Sequence, residues 1–139
     1  MRYLLDVNAL VSLGVIEHQF HNRVSGWIDR VKGTSGIELL TCSITELGFV
    51  RILAQNMSYG FTVLTARALL LQMKAQHSTP FRFVSDAHDV SYLPAWVKSP
   101  KQLTDGHLLR LARRHDAELA TLDRKIPGAL LVPEIWNEV

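Results

Sequence analysis

Four acidic side chains fall where the hydrophobic pattern of the chain changes from strand to helix. Asp6 follows the apolar run Tyr3-Leu4-Leu5, Glu46 lies just inside a helix opening at Ser43, Asp105 follows Thr104 at another helix start, and Asp123 ends Leu119-Ala120-Thr121-Leu122. Carboxylates gathered at one point form an all-oxygen site suited to Mg²⁺ or Mn²⁺. A cation held there can polarise a phosphoryl oxygen and acidify water. No His or Cys stands near these acids at zinc spacing. A phosphate-cradling glycine loop and a serine nucleophile elbow are both missing.

Each acid taken alone has an ordinary structural explanation. Asp6 can cap the helix that begins near Asn8, and Ser43-x-x-Glu46 reads as a capping box. Asp105 suits the positive end of a helix, and Asp123 can open the turn Asp123-Arg124-Lys125. Two observations argue for a shared role. Asp105 falls on the same helical face as Leu108, Leu109 and Ala112, while Arg110, Arg113 and Arg114 make the charged stripe. Glu46 likewise lines up with Phe49, Val50 and Leu53. Carboxylates turned toward a core require a charge partner or a metal.

The second observation is the placement of the acids in the expected fold. Strands are expected at 3–5, 37–42, 81–84, 118–122 and 130–132. Helices are expected at 8–15, 18–32, 43–55, 61–75 and 105–114, with 85–101 irregular or short-helical. Strands alternating with helices imply a three-layer α/β/α fold around a mainly parallel sheet. Two of the acids end strands and two open helices, so all four belong to the carboxyl edge of the sheet, where such folds bind ligands.

Composition narrows the class. The 139 residues, 47% hydrophobic and 20% charged, suit one globular domain over 1–139. A single cysteine excludes an intrachain disulfide and suits a reducing, cytoplasmic setting. The N-terminal apolar stretch is broken by Asp6 and Asn8 and is too short to span a membrane. A net charge of +2 is only mildly basic. His18 and His21 read as surface residues, Asp86, His88 and Asp89 as a solvated polar loop, and Cys42 as core.

Four segments in order carry a resemblance: Leu4-Leu5-Asp6-Val7-Asn8, Thr45-Glu46-Leu47-Gly48-Phe49-Val50-Arg51, Leu103-Thr104-Asp105-x-x-Leu108 and Leu119-Ala120-Thr121-Leu122-Asp123-Arg124. Together they resemble PIN-domain proteins, specifically the VapC-type ribonuclease toxins of toxin–antitoxin pairs. Val7 stands where that family often has Thr, and Ile126 where an aromatic commonly follows the last Asp.

The resemblance implies a metal-dependent endoribonuclease that leaves a 5′-phosphate and a 3′-hydroxyl. Asp6, Glu46, Asp105 and Asp123 would hold Mg²⁺ or Mn²⁺, supported by Asn8, Thr104 and Thr121. It further implies an RNA substrate, a cognate antitoxin, a homodimer and no membrane. Arg51, Arg110, Arg124 and Lys125 are the candidates for RNA or antitoxin contact, and Ile52, Phe61 and Leu64 for protein contact. Two other readings stand beside this one: a PIN nuclease of RNA processing without an antitoxin, and a binding module whose acids are all caps. A haloacid-dehalogenase-like phosphatase fits worse, because position 8 is Asn where a second acid is needed.

Overall fold

In the computed structural model, which describes residues 1–33 and 36–134, five parallel strands form one sheet. They are β1 (Arg2–Leu5), β2 (Glu38–Thr41), β3 (Phe81–Phe83), β4 (Glu118–Thr121) and β5 (Leu130–Leu131), in the order β3-β2-β1-β4-β5. Five helices accompany them: α1 (Val7–Gly14), α2 (His21–Val31), α3 (Ser43–Gln55), α4 (Val63–Gln76) and α5 (Leu103–Arg114). Short 3₁₀ turns lie at Met57–Tyr59, Val90–Tyr92 and Pro100–Gln102.

The strands are apolar on both faces because helices cover both. Tyr3, Leu5, Leu39 and Ala120 join Leu10 of α1, Trp27 of α2, Phe49 of α3 and Leu70 of α4 in one core. Leu4, Leu40 and Leu119 turn the other way and meet Leu108, Leu111 and Ala112 of α5. The two-residue alternation along each strand thus feeds two separate cores, which is the expected three-layer arrangement.

The order of the strands reverses at β1. Chain growth runs outward to β2 and β3 on one side and to β4 and β5 on the other. Leu5 pairs with Ala120 across this reversal, and the Asp6 N–H donates to the Ala120 carbonyl at 3.0 Å. The carboxyl ends of β1 and β4 therefore flank the crevice that such a reversal opens.

Several element starts differ from the sequence reading for identifiable reasons. The second helix begins at His21 rather than His18, because residues 16–20 turn around the His18 ring, whose Nδ1 accepts the Phe20 N–H at 3.0 Å. The fourth begins at Val63 under a Thr62–Thr65 capping box. The fifth begins at Leu103, where the Pro100–Gln102 turn runs directly into it. The capping box expected from Ser43 and Glu46 is instead made by Cys42 and Thr45. Its backbone starts one residue earlier, which moves Glu46 beyond the capping position.

Contact between α1 and α3 fixes where the first and second acids stand relative to each other. A side chain at Gly48 would place its Cβ 2.6 Å from Cγ2 and 3.0 Å from Cγ1 of Val7. The Val at position 7 and the absence of a side chain at position 48 are therefore complementary. Gly48→Ala is expected to lose about 1–3 kcal/mol from overpacking, less the roughly 1 kcal/mol of helix propensity that Ala gains. Urea unfolding of Val7→Ala, Gly48→Ala and the double variant checks this. The double variant should be more stable than the summed single effects by about 1 kcal/mol; strict additivity would refute the contact.

Candidate active site

Asp6 is the N-cap of α1 and is 6% exposed. Both carboxylate oxygens are used: Oδ1 accepts the Ala9 N–H at 2.9 Å, and Oδ2 accepts the Thr121 hydroxyl. Thr121, at the end of β4, is itself buried. Its oxygen accepts the Asp123 N–H at 2.9 Å, so one hydroxyl ties the first acid to the backbone of the last. Asp123 sits in an exposed turn with Oδ1 accepting the Lys125 N–H at 2.9 Å. Capping and a shared site are compatible here, because the Asp6 carboxylate that caps α1 still lies within electrostatic reach of Asp105 and Asp123.

Asp105 comes to the same place from the other side of the crevice. It lies in the first turn of α5, half-buried, on the side of the helix that also carries the buried Leu108, Leu109 and Ala112. Among the described residues, nothing hydrogen-bonds its carboxylate.

Electrostatics report the proximity of these three groups. Burial, partly offset by the Thr121 and Ala9 hydrogen bonds, pushes Asp6 up from 3.8 to about 6, with Asp105 and Asp123 adding to the rise. Asp105 is raised as well, by burial and then by Asp123. Like charges that raise a neighbour's proton affinity mark a site short of positive charge. The donor set, three carboxylates with one left unpartnered, fits a hard divalent cation. Among the described residues, no group of three or more His, Cys, Asp or Glu side chains stands close enough together to hold a metal ion as the side chains are placed.

Glu46 is engaged differently. Its Oε2 accepts the Thr41 hydroxyl at 2.6 Å and is ion-paired with Lys74 of α4. Lys74 also lies 5.6 Å from the centre of the Phe83 ring. The charges that act on Asp6 are those of Asp105 and Asp123. Sequence reasoning missed Lys74 and Thr41. Lys74 is 28 positions from Glu46 and looks like an ordinary basic residue in the last turn of a helix.

The supporting and basic candidates divide. Asn8 is exposed and lines a cleft with Asp123, whereas Thr104 is exposed on the far side of α5, facing a cleft shared with His88 and His107. Arg110 and Arg113 line another cleft with Trp96 and Pro127, and Arg114 lies over Tyr92. Arg124 pairs with Glu134 at 3.5 Å on the surface. Arg51 is exposed on α3, and the Lys125 side chain is exposed beside Asp123.

Three histidine expectations change. His18 and His21 are partly buried and hydrogen-bonded within the α1–α2 connection. Burial, then the neighbouring His21, lowers the His18 pKa. The loop at Asp86 is not simply solvated, since Asp86 accepts His107 at 3.0 Å and the His88 ring nitrogens are enclosed. Cys42 is fully buried in the core, as expected.

A raised carboxylate pKa gives the metal-free protein a distinctive pH dependence. The folded chain binds the Asp6 proton more tightly than the unfolded chain does. The stabilisation is therefore complete below pH 3.8 and is lost as pH rises through about 6. Two pKa units correspond to about 3 kcal/mol. Urea unfolding in chelator from pH 4 to pH 7 should show a decline of that order, and Asp6→Asn should remove most of it. Equal slopes in the two proteins would contradict the assignment of Asp6.

Comparison with known proteins follows the same line. No family profile matches the chain. Ribonuclease VapC44 of Mycobacterium tuberculosis is 39% identical over 142 residues, covering 93% of this chain and 94% of that protein. Ribonuclease VapC38 of the same organism is 35% identical over 125 residues, covering 86% and 84%. Among solved structures, M. tuberculosis VapC20, a sarcin–ricin loop cleaving toxin, superposes with a TM-score of 0.62 at 9% identity, over 94% of this chain and 99% of that one. That likeness concerns the fold alone.

Proposed function

The chain belongs to the VapC ribonuclease family, and on that premise we propose that it is a metal-dependent endoribonuclease, the toxin of a toxin–antitoxin pair. The observation that carries the reading is that Asp6, Asp105 and Asp123 lie close enough at the reversal of the sheet for Asp105 and Asp123 to raise the proton affinity of Asp6, and for Asp123 to raise that of Asp105. Four unrelated helix caps would not require this convergence.

In this reading Asp6, Asp105 and Asp123 hold Mg²⁺ or Mn²⁺, and Glu46 completes the site directly or through water. When bound, the ion supplies positive charge at the scissile phosphate and acidifies water there. The remaining work belongs to the protein. Thr121 holds the Asp6 carboxylate and the Asp123 backbone in one arrangement, so neither has to be ordered when RNA arrives. Lys74 and Thr41 keep the Glu46 carboxylate at the end of β2. Asn8 offers an amide at the rim beside Asp123. Lys125 and Arg124 are placed to meet the backbone of an RNA strand approaching that rim.

The partner surface is the exposed face of α3 and α4. Leu47, Val63, Leu64 and Leu71 are exposed there, with Leu64 at 71%. Side chains of this kind grouped on neighbouring helices suit a protein partner, and Arg51 on α3 adds a charge for an acidic antitoxin. Ile52 and Phe61, partly buried against the core, support that face more than they form it.

The test is cleavage of a mixed RNA pool by the purified protein with Mg²⁺ or Mn²⁺, set beside chelator and Asp105→Asn. Asp105→Asn is expected to lose at least about 100-fold in activity, more than substitutions outside a metal's ligand shell usually cost. Its metal-free melting temperature should hold or rise, because one repelling charge is gone. The metal-induced rise in melting temperature seen in the parent protein should shrink. Cleavage by Asp105→Asn at the parent rate would overturn the assignment.

A further inference from the structure

Beside Asp123 the structure has a cleft of about 450 Å³, lined by Asn8, His18, Gln19, Phe20, Leu122 and Asp123. Its size falls in the roughly 300–1,000 Å³ range of small-ligand sites. The lining comes from three places: the first turn of α1, the connection into α2, and the turn after β4. Two of its residues, Asn8 and Asp123, also border the acidic cluster, so anything seated here lies directly alongside a strand being cut.

The chemistry of the lining selects the ligand. The His18 Nδ1 accepts the Phe20 N–H at 3.0 Å, which leaves the ring's hydrogen on Nε2. Among the described residues, Nε2 has no partner. Gln19 is exposed and brings an amide with both donors and an acceptor, and Asn8 brings a second. Phe20 and Leu122 contribute apolar surface. Arg23, next to Phe20, is already committed: its Nε donates to the Val132 carbonyl at 3.0 Å, and its guanidinium lies 5.7 Å from the centre of the Phe20 ring. With one carboxylate and no cation in its lining, the cleft disfavours a phosphate. Amides, a neutral ring donor and an aromatic side chain suit the edges and faces of an unpaired base.

We propose that this cleft seats a nucleobase flanking the scissile bond, and that Gln19 and Phe20 set a nucleotide preference at that position. The proposal rests on the ribonuclease reading for its placement next to the cut, but the binding itself does not require cleavage. Gln19 reads the base edge, Phe20 covers its face, and His18 holds the loop while presenting Nε2–H. Loss of one aromatic contact to a base typically weakens binding by about tenfold.

The experiment has two arms on the full chain, with Gln19→Ala and Phe20→Leu as variants. Gln19→Ala changes only an exposed side chain, so it guards against misfolding; melting temperature monitors Phe20→Leu. In the binding arm, fluorescence anisotropy follows a short single-stranded RNA with Ca²⁺ present to neutralise the carboxylates. Both variants are expected to bind about tenfold more weakly. In the cleavage arm, sequencing of products from a random RNA pool should show a preference at one flanking position that flattens in both variants. Weaker binding by the variants without cleavage by any protein would keep the base site and refute the nuclease. Cleavage with unchanged preference and affinity in Gln19→Ala and Phe20→Leu would refute the base site and leave the nuclease standing.

Discussion

The hydroxyl of Thr121 is the smallest part on which the site depends. It donates to the carboxylate that ends β1 and accepts from the backbone that follows β4. A buried hydroxyl with both capacities used fixes two strand ends relative to each other more tightly than strand pairing alone, because the ladder stops at Leu5 and Ala120. The Asp123 turn that follows is anchored at its start by this link.

The same link explains how a buried carboxylate survives without a cation. Burial pushes Asp6 toward its protonated form, and two neighbouring acids push in the same direction. Hydrogen bonds from Thr121 and the Ala9 N–H pull the other way. The group is left between the two influences, able to ionise when positive charge arrives. A protein that stabilised this carboxylate fully on its own would have less to gain from a metal.

Stability and site therefore oppose each other at the crevice, and the surrounding packing absorbs the conflict. Two cores hold the sheet from its two faces, and Leu4, Leu5, Leu39, Leu40 and Leu119 are fully buried. The close approach of Gly48 to Val7 sets α3 against α1. Lys74 answers the charge of Glu46 from a third helix, which lets a fourth acid stand at the sheet edge without adding to the repulsion around Asp6. On the outer side of those helices, the exposed Leu47, Leu64 and Leu71 leave apolar surface that the fold itself does not use.

The sequence by itself determined the elements and the edge at which the acids gather. Apolar runs of strand length alternate with helical periodicity, and that alternation admits a parallel sheet with both faces covered. It also placed Asp105 on the apolar side of its helix, since a 3.6-residue repeat assigns faces without any tertiary knowledge. What only the tertiary structure decided concerns pairs far apart in the chain. Thr121 meets Asp6 across 115 positions, Lys74 meets Glu46 across 28, and His107 meets Asp86 across 21. Local patterns encode which face a residue occupies, but which partner waits on that face is set by strand order and helix packing. That is why four acids could be read from the sequence as one group, while in the folded chain Asp105 and Asp123 act on Asp6 and the fourth acid pairs with a lysine.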